Sequence, residues 1–156
     1  MISKNLAFIA VKPIGNQFRA YLSMEAAIIS EKDPKELLQE ATNIYEDAIG
    51  KMTQIVDEIR DARKNRRPVG ARQIWQLGDF IFRLRDQLEE IGLQLDSVYE
   101  HLARDLEVKS KWLEKVIILR RYLPDKKQLP ESLNWGRLEK GTSRKAKQLK
   151  SGLPIS

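Results

Sequence analysis

Between Asp33 and Ala62 the chain carries a pattern that only a long helix can use. Ala41, Tyr45, Ala48, Met52, Ile55, Ile59 and Ala62 recur at alternating spacings of four and three, which puts them on one stripe of an α-helix. Leu37, Leu38, Ile44, Ile49 and Val56 widen that stripe. The start is equally legible. Asp33 can cap, Pro34 suits the first helical position, and Glu36 stands at capping-box spacing. A helix from there to about residue 64 is roughly 45 Å long at 1.5 Å per residue. Such a seam exceeds what a small core covers, so it predicts helix pairing of the coiled-coil kind. The partner helix lies either within the chain or in a second copy. In a homodimer, Tyr45, Ala48, Met52, Ile55 and Ile59 form the dimerisation surface.

Around this helix the punctuation is clear. Residues 5–12 (NLAFIAVK) and 18–25 (FRAYLSME) are two β-prone runs about Pro13-Ile14-Gly15-Asn16, which predicts an N-terminal β-hairpin. Pro68-Val69-Gly70 breaks the chain after the long helix. A second helix follows from Ala71 to about Glu90, burying Ile74, Trp75, Leu77, Ile81, Leu84 and Leu88. Gly78 sits inside it at a cost of about 1 kcal/mol, a sign that another backbone comes close. Ile91-Gly92-Leu93 ends it, and further helices are expected at about 95–106, 110–122 and 131–140. The fold class is therefore mainly α: a hairpin, a long heptad-patterned helix, and a compact helical domain with a helix-turn-helix-like pair. The expected division is 1–67 for dimerisation or docking, 68–141 for the helical domain, and 142–156 for a basic, flexible tail.

Charge is unevenly distributed. Up to residue 59 there are six Lys and Arg against nine Asp and Glu, and from residue 60 onward 22 against 13. A basic C-terminal portion suits a polyanionic partner, nucleic acid first. The chain has no cysteine, which removes disulfides, thiol catalysis and cysteine-based zinc sites. His101 is the one histidine and reads as a surface residue, so no metal and no other cofactor is expected. Glu89-Glu90 and Glu46-Asp47 are adjacent on helices and point apart, and no phosphate-cradling glycine pattern occurs. The chain is thus expected to be no enzyme. No run approaches the roughly 18 apolar residues of a membrane span, and the N-terminus lacks a signal cleavage pattern, so a cytoplasmic protein without a membrane partner is expected.

The stretch HLARDLEVKSKWLEKVIILRRYLP, residues 101–124, has the spacing of a helix-turn-helix. Ala103 is the small residue at the helix crossing, Leu106 the hydrophobe three later, Glu107-Val108 the turn, and Leu113 and Val116 seat the second helix. Glu107 stands where a glycine is preferred, and any positive φ there costs strain. The exposed face of the second helix carries Lys109, Ser110, Lys111, Trp112 and Lys115, with Arg120 and Arg121 at its far end. Lysines and a serine at a helix start suit phosphate. No arginine stands in the first two turns to read guanine bidentately. A second basic cluster, Arg60, Arg63, Lys64, Arg66 and Arg67, ends the long helix. The macrodipole favours cations there, but five in eight positions is more than it requires.

Residues 71–141 resemble the helical N-terminal domain of YhcG-type PD-(D/E)XK nucleases. The Trp-x-x-Gly helix in IWQLGDFI, the segment HLARDL, the Arg- and aromatic-rich LEKVIILRRYLP and the closing LNWGRL carry the likeness. It rests on Trp75, Gly78, Asp105, Leu106, Leu133 and Trp135 in order. EVKSKW departs from the Gly-Phe-Ser type of turn that the family shows before its fourth helix, and no Asp…Glu-x-Lys nuclease motif follows. The resemblance implies a DNA-binding or partner-docking module without the catalytic part.

Together these features predict a non-catalytic, homodimeric protein that binds duplex DNA mainly through phosphates with its helix-turn-helix-like domain. The expected contacts are Arg63, Lys64, Arg66, Arg67, Arg72, Lys109, Ser110, Lys111, Lys115, Arg120, Arg121, Arg144 and Lys145. The alternative is an assembly subunit that docks a larger partner, such as a nuclease or defence complex.

Overall fold

In a computed structural model of the chain, which describes residues 26–28, 33–95 and 98–155, helix α1 spans Pro34–Lys64. It begins as the sequence predicts, with Asp33 accepting from the Lys35 N–H at 3.5 Å. Its seam is filled from within the chain. Tyr45, Ala48, Met52 and Ile59 are all buried, and Ile55 is half-buried. Helix α2, Ala71–Glu90, doubles back after the break and lies along α1, with Gln73 near its start reaching Glu58 at 2.9 Å. The expected dimerisation residues are therefore core side chains of a single chain. The reason is that α2 brings its own apolar stripe, Ile74, Leu77, Ile81, Leu84 and Leu88, into the same core.

Helix α3 covers Val98–Asp105 and α4 covers Ser110–Tyr122. Ala103, Leu106, Leu113 and Val116, the positions expected to seat this pair, are all buried. α4 packs against both α3 and α2. Gly78 is where α2 and α4 meet: a Cβ there would stand 2.8 Å from Arg120 Cβ and 3.0 Å from the Val116 carbonyl oxygen. The chain is mainly helical, and among the described residues β1, Ala26–Ile28, pairs antiparallel with β2, Leu93–Leu95. The hairpin expected over residues 5–25 lies outside the described residues.

Three expectations are corrected. The helix expected from 95 starts at Val98, because Leu93–Leu95 is strand β2. The helix expected over 131–140 is instead irregular, with a short 3-10 turn at Trp135–Arg137 and another before the segment at Lys126–Gln128. Its backbone is used elsewhere: the Ala71 N–H donates to the Leu133 carbonyl at 2.9 Å and the Trp135 N–H to the Val69 carbonyl at 2.8 Å. The segment LNW thus closes the domain onto the start of α2, with Trp135 buried. Finally, the expected flexible tail holds helix α5, Thr142–Lys150. Thr142 donates to the Leu138 carbonyl at 2.7 Å, Ala146 is buried, and α5 lies on α4. At that contact the Ser143 hydrogen bond and the Lys147 charge lower the pKa of the Tyr122 phenol.

α1 and α3 end in the same way. At α1 the Arg66 N–H meets the Arg63 carbonyl and the Arg67 N–H meets that of Ala62. At α3 the Glu107 N–H meets the Arg104 carbonyl and the Val108 N–H that of Ala103. This is the paired Schellman closure, which needs a left-handed residue after the cap and usually employs glycine. Here Arg66 and Glu107 occupy it, each with φ of 56°. No described helix is long and apolar enough to cross a membrane.

Candidate nucleic-acid interface

Two basic segments, far apart in sequence, meet where the end of α1 faces the turn between α3 and α4. The contact is made by Arg60, whose Nη2 donates to the Leu106 carbonyl at 3.0 Å and also to that of Glu107. These are carbonyls at the end of α3, where a helix leaves its acceptors unsatisfied and a cation is favoured. Tyr45, about four turns earlier on α1, donates to Asp105 Oδ2 at 2.5 Å. Side chains from both halves of α1 therefore fix consecutive residues at the end of α3.

His101 also belongs to this anchor. Expected on the surface, it is buried, with its ring edge-on to Tyr45 and Nε2 3.3 Å from Asp105 Oδ2. Burial pushes the Asp105 carboxyl up. Hydrogen bonds from His101 and Tyr45, with the charges of His101 and Arg104, outweigh that and hold it below the usual carboxylate range.

The junction leaves a cleft of roughly 450 Å³. Its wall is apolar, from Val56, Ile59 and Val108. Trp112 enters from the first turn of α4 and is half-buried, with the Arg63 guanidinium 5.6 Å from its ring centre. Arg63 also lies 3.9 Å from Glu139 across the cleft, with the two side chains 49% and 36% exposed, a contact that is worth little. Lys109, Lys111 and Lys115 line the cleft together with Glu107. No carboxylate among the described residues forms an ion pair with these three lysines. α4 also opens without a side-chain cap, since Lys109 holds the cap position, and its first backbone N–H groups lack helical acceptors.

Of the residues expected to contact nucleic acid, Arg63, Lys109, Lys111 and Lys115 share this cleft. Ser110 is exposed beside it as the first residue of α4. Lys64, the last residue of α1, and Arg66 and Arg67 just past it are exposed, and Arg67 pairs with Asp61. Arg121 is exposed at the far end of α4. Arg144 and Lys145 lie on α5, and Lys145 Nζ donates to the Arg137 carbonyl at 2.6 Å.

Two expected contacts are occupied by the fold itself. Arg72 Nε donates to the Leu129 carbonyl at 2.8 Å, and Nη1 lies 3.3 Å from Glu131. Arg120 Nε donates to Asp79 Oδ1 at 3.0 Å, and its guanidinium lies over Phe82 and Trp75, 4.7 and 5.3 Å from their centres. Asp79 is itself buried and also pairs with Arg83 at 2.9 Å. Releasing Arg120 would leave that carboxylate short of a partner.

Arg60, Trp112 and Glu139 complete the cleft although they were not among the expected contacts. Arg60 stands three residues before Arg63 in the same basic run, and Trp112 lies among the lysines, so both had a local signal. Glu139 had none, because only the closing segment brings it across. No group of three or more His, Cys, Asp or Glu among the described residues could hold a metal ion. Comparison with known proteins finds no relative: no family model, no curated protein and no solved structure matches this chain.

Proposed function

We propose that this chain is a non-catalytic nucleic-acid-binding protein that grips duplex DNA mainly through its phosphates, with α4 as the helix laid against the duplex. The observation that carries the reading is the convergence of Arg63 with Lys109, Lys111 and Lys115 around one cleft. Three of these cations have no carboxylate partner among the described residues, so an incoming phosphate need not displace one of those. The uncapped start of α4 supports the same reading, since free backbone N–H groups and a positive helix end favour an anion. Along α4 the exposed positions Ser110, Lys111, Glu114 and Arg121 form a stripe that a groove can receive. With Arg120 held by Asp79 and no free arginine in the first turns, contact with phosphate is favoured over reading of bases. The resemblance to the N-terminal domain of YhcG-type nucleases points the same way.

Binding of a duplex followed against salt tests this. Each phosphate contact contributes about −0.9 to the log–log slope, so Lys109, Lys111 and Lys115 changed together to alanine should flatten it by about three. Absence of duplex binding at low salt, or a slope the triple variant leaves unchanged, would sink the reading.

The second reading, a subunit that docks a larger partner such as a nuclease or defence complex, draws on one feature. Among the described residues Leu153 is the exposed large hydrophobic one, at 56%, and with Leu133, Leu149, Pro154 and Ile155 it edges a separate depression whose lining also includes Gln128, Asn134 and Arg137. A Leu153→Asp variant that keeps full DNA affinity would separate the two uses.

A further inference from the structure

We infer that the cleft between the end of α1 and the start of α4 takes an unpaired nucleotide, its base against Trp112 and its phosphate among Lys109, Lys111 and Lys115. This rests on the nucleic-acid reading above and sharpens its target, from a closed duplex to a strand that is single or frayed where the protein holds it.

The first support is the chemistry of the cleft. At roughly 450 Å³ it falls within the range of pockets that enclose a small organic group, about 300–1,000 Å³. A surface built only to lie along a duplex needs cations and polar donors. It needs neither an apolar wall nor an aromatic face set back in a recess. Here Val56, Ile59 and Val108 supply apolar lining, Trp112 the aromatic side chain, and the three lysines line the same cleft. A nucleotide divides in the same way, with a flat weakly polar base at one end and an anion at the other. In a closed duplex both faces of each base are already stacked, and Trp112 would have nothing to meet. Aromatic faces combined with a cationic groove are how proteins hold single strands without reading sequence.

The second support is how Arg63 and Trp112 are held. Arg63 covers Trp112 at 5.6 Å, and it also makes a loose contact to Glu139 at 3.9 Å, with the Arg63 side chain about half exposed and Glu139 about one third. A loose pair of this kind opens at little cost, so a base can take the guanidinium's place while Arg63 turns to the phosphate. The cleft walls, in contrast, are fixed. Arg60 bolts α1 to the turn, and the left-handed Glu107 that forms that turn is one of the lining residues. Non-glycine residues kept in this conformation concentrate at ligand clamps.

Tryptophan fluorescence provides the test, because Trp75 and Trp135 are buried and Trp112 is the tryptophan left within reach of a ligand. The probe is a short unstructured pyrimidine oligodeoxynucleotide, compared with the same strand annealed to its complement. The single strand should bind more tightly and quench the emission saturably. Trp112→Leu should cost it roughly tenfold or more in affinity, Trp112→Phe should restore most of that, and the loss should be larger for the single strand than for the duplex. If the single strand binds no tighter than the duplex, or binds without quenching, the nucleotide cleft is wrong. Salt-dependent duplex binding would then still stand, so this failure is distinct from failure of the phosphate reading, in which neither ligand binds. Should Trp112→Leu not fold, quenching and strand preference in the unaltered protein decide alone.

Discussion

Arg60 donates from α1 to the carbonyl of Leu106 at 3.0 Å, across a separation of 46 residues. The same nitrogen reaches the Glu107 carbonyl. A sequence reading assigns this arginine to the basic cluster that ends α1. Its position instead makes it the bond that sets the distance between the two basic segments. A guanidinium suits the task because it offers several donors in a fixed plane.

Replacing Arg60 by methionine keeps most of the stem's packing and removes the donors. The loss should be about 1.5–3 kcal/mol, the range for hydrogen bonds to charged groups, read as a lower urea midpoint at unchanged slope. Arg60→Lys, with one compact ammonium, should fall between the two. A methionine variant as stable as the original would mean that the turn is held by packing alone.

Glu107 adopts φ of 56° to close α3, and a non-glycine residue in that region carries strain of about 1 kcal/mol or more. Glu107→Gly removes the strain but adds freedom to the unfolded chain, so the net should be a gain of at most about 1 kcal/mol. Glu107→Val, β-branched and poorly suited to positive φ, should instead destabilise. Thermal unfolding of the two variants checks the order. Glycine below the original would show that the glutamate side chain contributes more than its backbone costs.

How far the sequence carried the fold follows from where its signals were local. α1, α2 and α4 were legible because each has a wide apolar stripe between clear breaks: Asp33-Pro34 and Pro68-Gly70 for the first, Ile91-Gly92 after the second. β2 was not, because the three residues Leu93–Leu95 fit a strand and a helix start equally. α5 was missed since its buried face is little more than Thr142 and Ala146, too small to stand out among its cations. The cleft was half legible. Its lysines and Arg63 are written in two basic runs, but their meeting depends on long-range bonds such as that of Arg60. Arg72 and Arg120 misled for the opposite reason: a sequence displays a charge and hides its partner, here the Leu129 carbonyl with Glu131 and the buried Asp79.

Gly78→Ala sets two effects against each other. Alanine favours a helix interior over glycine by about 1 kcal/mol. Its methyl, however, would meet Arg120 Cβ at 2.8 Å and the Val116 carbonyl at 3.0 Å. Neither is a flexible tip, so α4 must move away from α2. Overpacking of this kind costs about 1–3 kcal/mol, so the variant should be less stable despite its better helix propensity. Gly50→Ala is the control, because nothing lies within 4 Å of a Cβ there, and it should stabilise. Equal urea midpoints for both variants would contradict the close crossing.

The Asp105 anchor makes stability depend on pH in a stated direction. Its folded pKa is lowered, by the His101 and Tyr45 hydrogen bonds prevailing over burial, while in the unfolded chain it is about 3.9. As pH falls, the unfolded state takes up this proton first, which draws the equilibrium toward unfolding. The stabilisation from Asp105 is therefore complete above about pH 4 and is lost as pH drops through the folded value. Asp105→Asn keeps the shape and cannot ionise. It should be less stable than the original protein at neutral pH, and the gap should close on acidification. Urea midpoints measured from neutral pH into the acid range give the comparison. A gap that stays constant with pH would show that the carboxylate's charge is not what Tyr45 and His101 hold.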